Sequence, residues 1–197
     1  MLETIREYGL EQLLASGEQE AARAAHAAYY LRLAEEADRW LWGPQLSTWL
    51  ERLEREHDNL RAALAWSLEP VPGKEAGQRV ELALRLGAAL HRFWFSHGYI
   101  SEGHTELSRA LAANAGVTPA GRAKALVVAA DLAYAYGDIR QVEIVAEVGL
   151  ALARALGDAL GMARAGPAWA RGGLRQTRAC QGTRAAGGEP GALSGPG

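Results

Sequence analysis

Cysteine is all but missing from this sequence. Cys180 stands alone, which excludes an intrachain disulfide, a cysteine zinc cluster and an iron–sulfur site and makes a reducing, cytoplasmic setting the expectation. An excess of charge of one sign is missing too. Lys and Arg number 21 against 23 Asp and Glu, for a net charge of −2, so the basic face with which nucleic-acid binders meet phosphates is absent and no direct nucleic acid binding by this chain is expected. Long apolar runs are lacking as well. The most apolar stretch, 125–137, is interrupted by Asp131 and falls short of the roughly 20 residues that span a bilayer. Met1 is followed by Leu2-Glu3-Thr4-Ile5-Arg6-Glu7 rather than by the apolar core of a secretory signal, and no contact with a membrane is expected. Ile, Thr and Phe are sparse, which leaves little material for strands.

What is abundant is Ala, Leu, Glu and Arg, within a composition of 49% hydrophobic and 22% charged residues. Summed over long windows this bias favours helix, so an all-α fold with almost no sheet is predicted. A short first helix is read over 2–16, with Ser16-Gly17 as its stop. A second runs from about 18 to 42, with Tyr30, Leu33, Ala34, Ala37, Trp40 and Leu41 on one side, and Gly43-Pro44 ends it. The third, 49–66, carries Leu46, Leu50, Leu53, His57, Leu60 and Leu64 at alternating spacings of four and three. That places them on one face and leaves Glu51, Arg52, Arg55, Glu56 and Arg61 to water.

From 75 to 96 apolar residues surround most of the helix circumference, which predicts the best buried helix of the set. A shorter helix follows over 100–114. Thr118 is then the expected N-cap of the next, with Pro119 at its first position. The helices 120–136 and 139–156 are joined only by Gly137-Asp138, a connection that forces them antiparallel. His97-Gly98-Tyr99 matches Tyr136-Gly137-Asp138 at a distance of 39 positions, longer than the 34 or so of an ideal tetratricopeptide repeat. Two hairpins of a helical repeat are therefore predicted, and a third begins at Gly157-Asp158-Ala159-Leu160. Each such hairpin exposes an apolar side that a neighbour must cover.

Motifs that could carry chemistry are few. Glu54 and His57 share a helical face with the Glu-x-x-His spacing of di-iron bundles, but a second such motif is absent and His57 lies on the leucine face, where a hydrogen-bonded core histidine is the expectation. A metal-binding helical-bundle enzyme using Glu54 and His57 is the alternative reading. Ser47, Ser67, Ser96, Ser101 and Ser108 lie in no nucleophile-elbow pattern. Gly73-Lys74 ends like a phosphate-binding loop, yet Glu75 stands where Ser or Thr is required. No enzyme, no metal and no cofactor is expected. Trp40, Trp42, Trp49, Trp66 and Trp94 are read as packing between helices, and Tyr134 and Tyr136, beside a repeat turn, as the candidate interaction surface.

The stretch Trp49-Leu50-Glu51-Arg52-Leu53-Glu54-Arg55-Glu56-His57-Asp58-Asn59-Leu60-Arg61 resembles the helix that opens the tetratricopeptide-like region of LuxR-type and antibiotic-regulator-type bacterial signal-transduction ATPases. Met1-Leu2-Glu3-Thr4-Ile5-Arg6-Glu7-Tyr8, His26-Ala27-Ala28-Tyr29-Tyr30-Leu31, Arg92-Phe93-Trp94-Phe95 with Gly98 and Ser101-Glu102-Gly103, and Ala151-Leu152-Ala153-Arg154-Ala155-Leu156-Gly157-Asp158 resemble further blocks of that family in the same order. The resemblance covers about 1–164 and implies a bacterial regulator truncated at both ends, its ATPase and winged-helix DNA-binding parts outside this chain. It implies a non-catalytic sensor module whose partner is a protein, a peptide or the regulator's own ATPase domain.

The expected organisation is a winged-helix remnant over 1–16, a helical linker and hairpin over 17–73, and repeats over 74–164 that stack as a solenoid. From 165 to 197 a disordered tail is expected. Beyond Gly166 the only acid is Glu189, and Gly, Ala, Pro and Arg dominate, a composition that cannot form a core. Out-of-frame reading of GC-rich DNA gives the same residues, so the tail is read as frameshifted, and an interrupted gene without a function of its own is a further alternative.

Overall fold

Helix-forming composition resolves into eight helices and no strand among the described residues of the computed structural model, which are 15–73, 75–113 and 116–157 together with Gly9 and Gln12. The fold class is all-α. The helices are α1 (Gln19–Trp40), α2 (Leu46–Arg55), α3 (His57–Ser67), α4 (Glu75–Ala89), α5 (His91–His97), α6 (Ile100–Ala112), α7 (Pro119–Tyr136) and α8 (Ile139–Ala155). The helix predicted over 2–16 lies largely outside the described residues, the third repeat start lies outside them beyond Gly157, and the tail over 165–197 lies entirely outside them.

In α1 the buried arc is Ala27, Tyr30, Leu31, Leu33, Ala34 and Ala37, and Leu41 just past its end is 1% exposed. Trp40 departs from the expectation. At about 100° per residue it falls at the edge of that arc and is 43% exposed.

The single helix expected over 49–66 is two, broken at Glu56. There the backbone N–H is shared between the carbonyls of Arg52 (3.3 Å) and Leu53 (3.1 Å), a tightening typical of a helix end. Glu56 was expected to face water. Instead its carboxylate accepts hydrogen bonds from the Tyr30 hydroxyl of α1 (2.7 Å) and from Asn59 Nδ2 (2.8 Å). The leucine face survives the break: Leu53 and Leu60 are fully buried and Leu64 nearly so.

A second break, at Leu90, divides the helix expected over 75–96 into α4 and α5. The expected burial of α4 holds, with Val80, Ala83, Leu84, Leu86, Gly87, Ala88 and Ala89 all buried. Phe93 and Trp94 in α5 are fully buried, whereas Phe95 is 39% exposed. The close approach of α6 needs glycine. A Cβ on Gly103 would stand 2.5 Å from Trp94 Cε3 and one on Gly87 2.7 Å from Leu107 Cδ1, closer than packed atoms allow.

The two predicted hairpin turns share one geometry. Gly98 and Gly137 have φ of 79° and 97°, the left-handed conformation that glycine alone adopts without strain. Tyr99 N–H donates to Trp94 O and Asp138 N–H to Ala133 O, each at 2.9 Å. These are the long-range bonds of Schellman caps. Thr118 is the N-cap of α7, its Oγ1 accepting from Gly121 N–H at 3.1 Å, with Pro119 behind it. Asp138 caps α8 in the same way through Gln141 N–H at 3.0 Å.

The helices form two layers. α4 lies between α1 and α7, and α6 and α8 pack behind α4 and α7. One contiguous hydrophobic core runs from Ala27 of α1 to Val145 and Ala146 of α8. Trp49, Trp66 and Trp94 pack in it as expected, but Trp42 is 60% exposed.

Candidate interaction surface

The layer of α1, α4 and α7 is laced by ion pairs between helices. Glu20 pairs with Arg79, Glu35 with Arg85 (2.7 Å) and Asp38 with Lys124 (3.0 Å), and beyond the layer the Asp131 carboxylate of α7 lies 3.5 Å from His91 Nε2 of α5. Arg79 is almost buried, its guanidinium carbon 4.2 Å from the Trp66 ring centroid, and Trp66 Nε1 donates to Glu20 as well (3.0 Å). These pairs hold neighbouring helices in register, and the first of them, with Trp66, lines a cavity of about 340 Å³.

The other layer is joined by different chemistry. His57 of α3 lies 2.9 Å from Glu102 of α6, and Gln141 of α8 donates to Ser108 of α6 at 2.8 Å. His57 also stacks on Tyr99 (4.3 Å) and meets the Phe93 ring edgewise (5.4 Å). It is therefore a hydrogen-bonded histidine at the edge of the core. Glu54 does not share its partner: its Oε1 accepts from the Tyr99 hydroxyl (2.8 Å), and His97 lies 3.8 Å from Oε2. Both residues face Tyr99, but each is held by its own partner, Glu54 by the Tyr99 hydroxyl and His57 by Glu102. Among the described residues no three His, Cys, Asp or Glu stand together as a metal site.

Two tyrosines titrate above their ordinary range. Burial, reinforced by the Glu56 carboxylate it donates to, pushes Tyr30 up to about 12. The hydrogen bond to Glu54 raises Tyr99. The Tyr30 hydroxyl and the Asn59 amide in turn lower the Glu56 carboxyl.

Of the tyrosines singled out from the sequence, Tyr136 is 56% exposed, its ring stacked on His104 with centroids 4.6 Å apart; Tyr134 is half-buried. Both sit at the Gly137 turn. Ser67, considered as a nucleophile, is 1% exposed and donates to the Ala63 carbonyl at 2.7 Å, which occupies it within its own helix. No helix among the described residues is long and apolar enough to cross a membrane.

Periodicity did not single out two exposed features. On α8, Ile144 and Val148 are 58% and 48% exposed at the rim of a cavity of about 440 Å³ between α6, α7 and α8. At the far end of α1, Trp42 carries the Arg92 guanidinium 5.1 Å from its ring centroid. The first follows from helix spacing once α7 is known to cover only one side of α8. The second joins residues fifty positions apart and left no trace in local pattern.

The class these observations define is an all-helical protein of stacked antiparallel hairpins with polar seams between them. The chain is similar to a segment of large mycobacterial proteins. One from Mycobacterium tuberculosis (strain H37Rv), named Putative HTH-type transcriptional regulator Rv0890c, and one from Mycobacterium bovis, named Putative HTH-type transcriptional regulator Mb0914c, are each 35% identical to it over 173 residues. The match covers 84% of this chain but 19% of each relative, so the chain spans about a fifth of their length. No protein-family profile matches the chain, and no solved structure does.

Proposed function

We propose that the chain is a non-catalytic protein-interaction segment of a bacterial transcriptional regulator of the LuxR-like ATPase type, with tetratricopeptide-like hairpins that stack as a short solenoid. The observation that carries this is the pair of matching left-handed glycine turns at Gly98 and Gly137, 39 positions apart and closed by the same long-range bond, each followed by a helix that packs back on its predecessor. Repeat hairpins of this kind recognise proteins and peptides through extended surfaces rather than through a closed catalytic pocket. The likeness to proteins named HTH-type transcriptional regulators supports the regulatory setting. On this reading DNA contact and nucleotide hydrolysis belong to other parts of the intact regulator, and this segment receives a protein or peptide signal, or holds a neighbouring ATPase domain inactive.

The test is made with purified chain. The expected result is no magnesium-dependent ATP hydrolysis above buffer and no binding of a random-sequence DNA duplex at physiological salt. Turnover that co-elutes with the chain through successive chromatographic steps, or duplex binding in the low micromolar range, would overturn the reading.

A further inference from the structure

We propose that Trp42, Arg92 and Phe95 form a docking site for a peptide segment that places an aspartate or glutamate beside an aliphatic or aromatic anchor; this rests on the interaction reading above. Arg23, Arg79, Arg85, Arg109 and Lys124 each hold a carboxylate of this chain, and Arg61 lies 3.7 Å from Glu102. Arg92, like Arg122 and Arg140, is in no ion pair among the described residues, and burial sets it apart from them. Its Nε is buried with no hydrogen-bond acceptor, although a guanidinium stays charged at any physiological pH.

The geometry adds direction. The Arg92 guanidinium carbon lies over the Trp42 ring, 5.1 Å from its centroid, a contact that satisfies none of its N–H donors and leaves the terminal ones for a carboxylate. Trp42 is 60% and Phe95 39% exposed. Phe95 follows Arg92 by three residues on α5 and so lies on the same side of it. A stacked arginine between two exposed aromatic rings has the composition of an interface hot spot, and its unmatched charge selects an acidic partner. On the far side of Phe95 stand His91, its ring edge-on to Phe95 at 5.0 Å, and Asp131, 3.5 Å from His91. The Asp131 carboxylate disfavours a second acid there and so fixes the acid of the peptide on the Arg92 side, with its anchor toward Phe95.

The experiment is selection from a random peptide library displayed on phage, with the full chain as bait. Wild type is expected to enrich peptides with Asp or Glu next to Trp, Phe, Leu or Ile. Arg92→Gln should lose the acidic preference and keep the anchor; Trp42→Ala should lose both. Exchanging acid for amide in the synthetic consensus peptide should weaken its binding to wild type about tenfold and leave binding to Arg92→Gln unchanged. Arg109→Gln, whose guanidinium rests on Glu106, should select as wild type does. Circular dichroism verifies each fold, and Phe95→Ala replaces Trp42→Ala if that variant is unfolded. A consensus without acid, or one insensitive to these substitutions, overturns the site but leaves the interaction reading standing. No enrichment at all removes both.

Discussion

Tyr30 and Glu56 link α1 to the break between α2 and α3. Tyr30→Phe removes the donor and is expected to cost about 1 kcal/mol, read as a lowered urea midpoint. The pH dependence has two signs. Glu56 titrates lower in the folded protein, so its contribution is present above the ordinary glutamate range and is lost as pH falls through the folded value; the gap between wild type and Tyr30→Phe should narrow below about pH 4. Tyr30 is raised to about 12, so the stability it contributes is complete below the ordinary value of about 10 and is lost as pH rises toward 12. A gap unchanged between pH 3 and 7 would contradict the first sign. Gly103→Ala sets a methyl against the Trp94 ring and should destabilise by about 1–3 kcal/mol with a change in tryptophan emission; a neutral effect would mean that α6 shifts away freely. At this scale the sequence was informative where a residue acts through periodicity: Leu53, Leu60 and Leu64 are buried as their spacing requires. It was silent where a residue acts through a distant partner. Nothing near Glu56 announces Tyr30, 26 positions earlier, and nothing near Arg92 announces Trp42.

Among the elements, boundaries set by backbone chemistry were legible. Thr118-Pro119 opens α7 and Gly137-Asp138 closes it because capping is a local property of a few residues. The breaks at Glu56 and Leu90 were not legible, since neither contains proline or a cap signal and both follow from packing on helices elsewhere in the chain. The glycine turns give a direct test. Gly98→Ala and Gly137→Ala each force a Cβ into left-handed backbone and should cost about 1–2 kcal/mol, measured by thermal or urea unfolding. Asn at either position should cost less, and an equal loss for Ala and Asn would argue against the left-handed assignment.

At the scale of the whole molecule, helix content followed from composition, whereas the stacking order of the layers rests on contacts between residues tens of positions apart, such as Lys124 with Asp38 and Gln141 with Ser108. The continuous core predicts cooperative unfolding. Leu132, fully buried in α7, is far in sequence from Trp49, Trp66 and Trp94, yet Leu132→Ala should lower the midpoints of tryptophan fluorescence and of helical circular dichroism together, by an amount equivalent to about 2–5 kcal/mol. Separate midpoints would show that the last hairpin melts alone. The matched turns at Gly98 and Gly137 carry one more consequence. The stretch between them starts and finishes at equivalent points and contains its own helix start and stop, so it is bounded as a cassette. A copying slip that doubled it in the gene would splice in one more helical pair between turns of the same kind, and the protein could lengthen by duplication with no new turn to be invented.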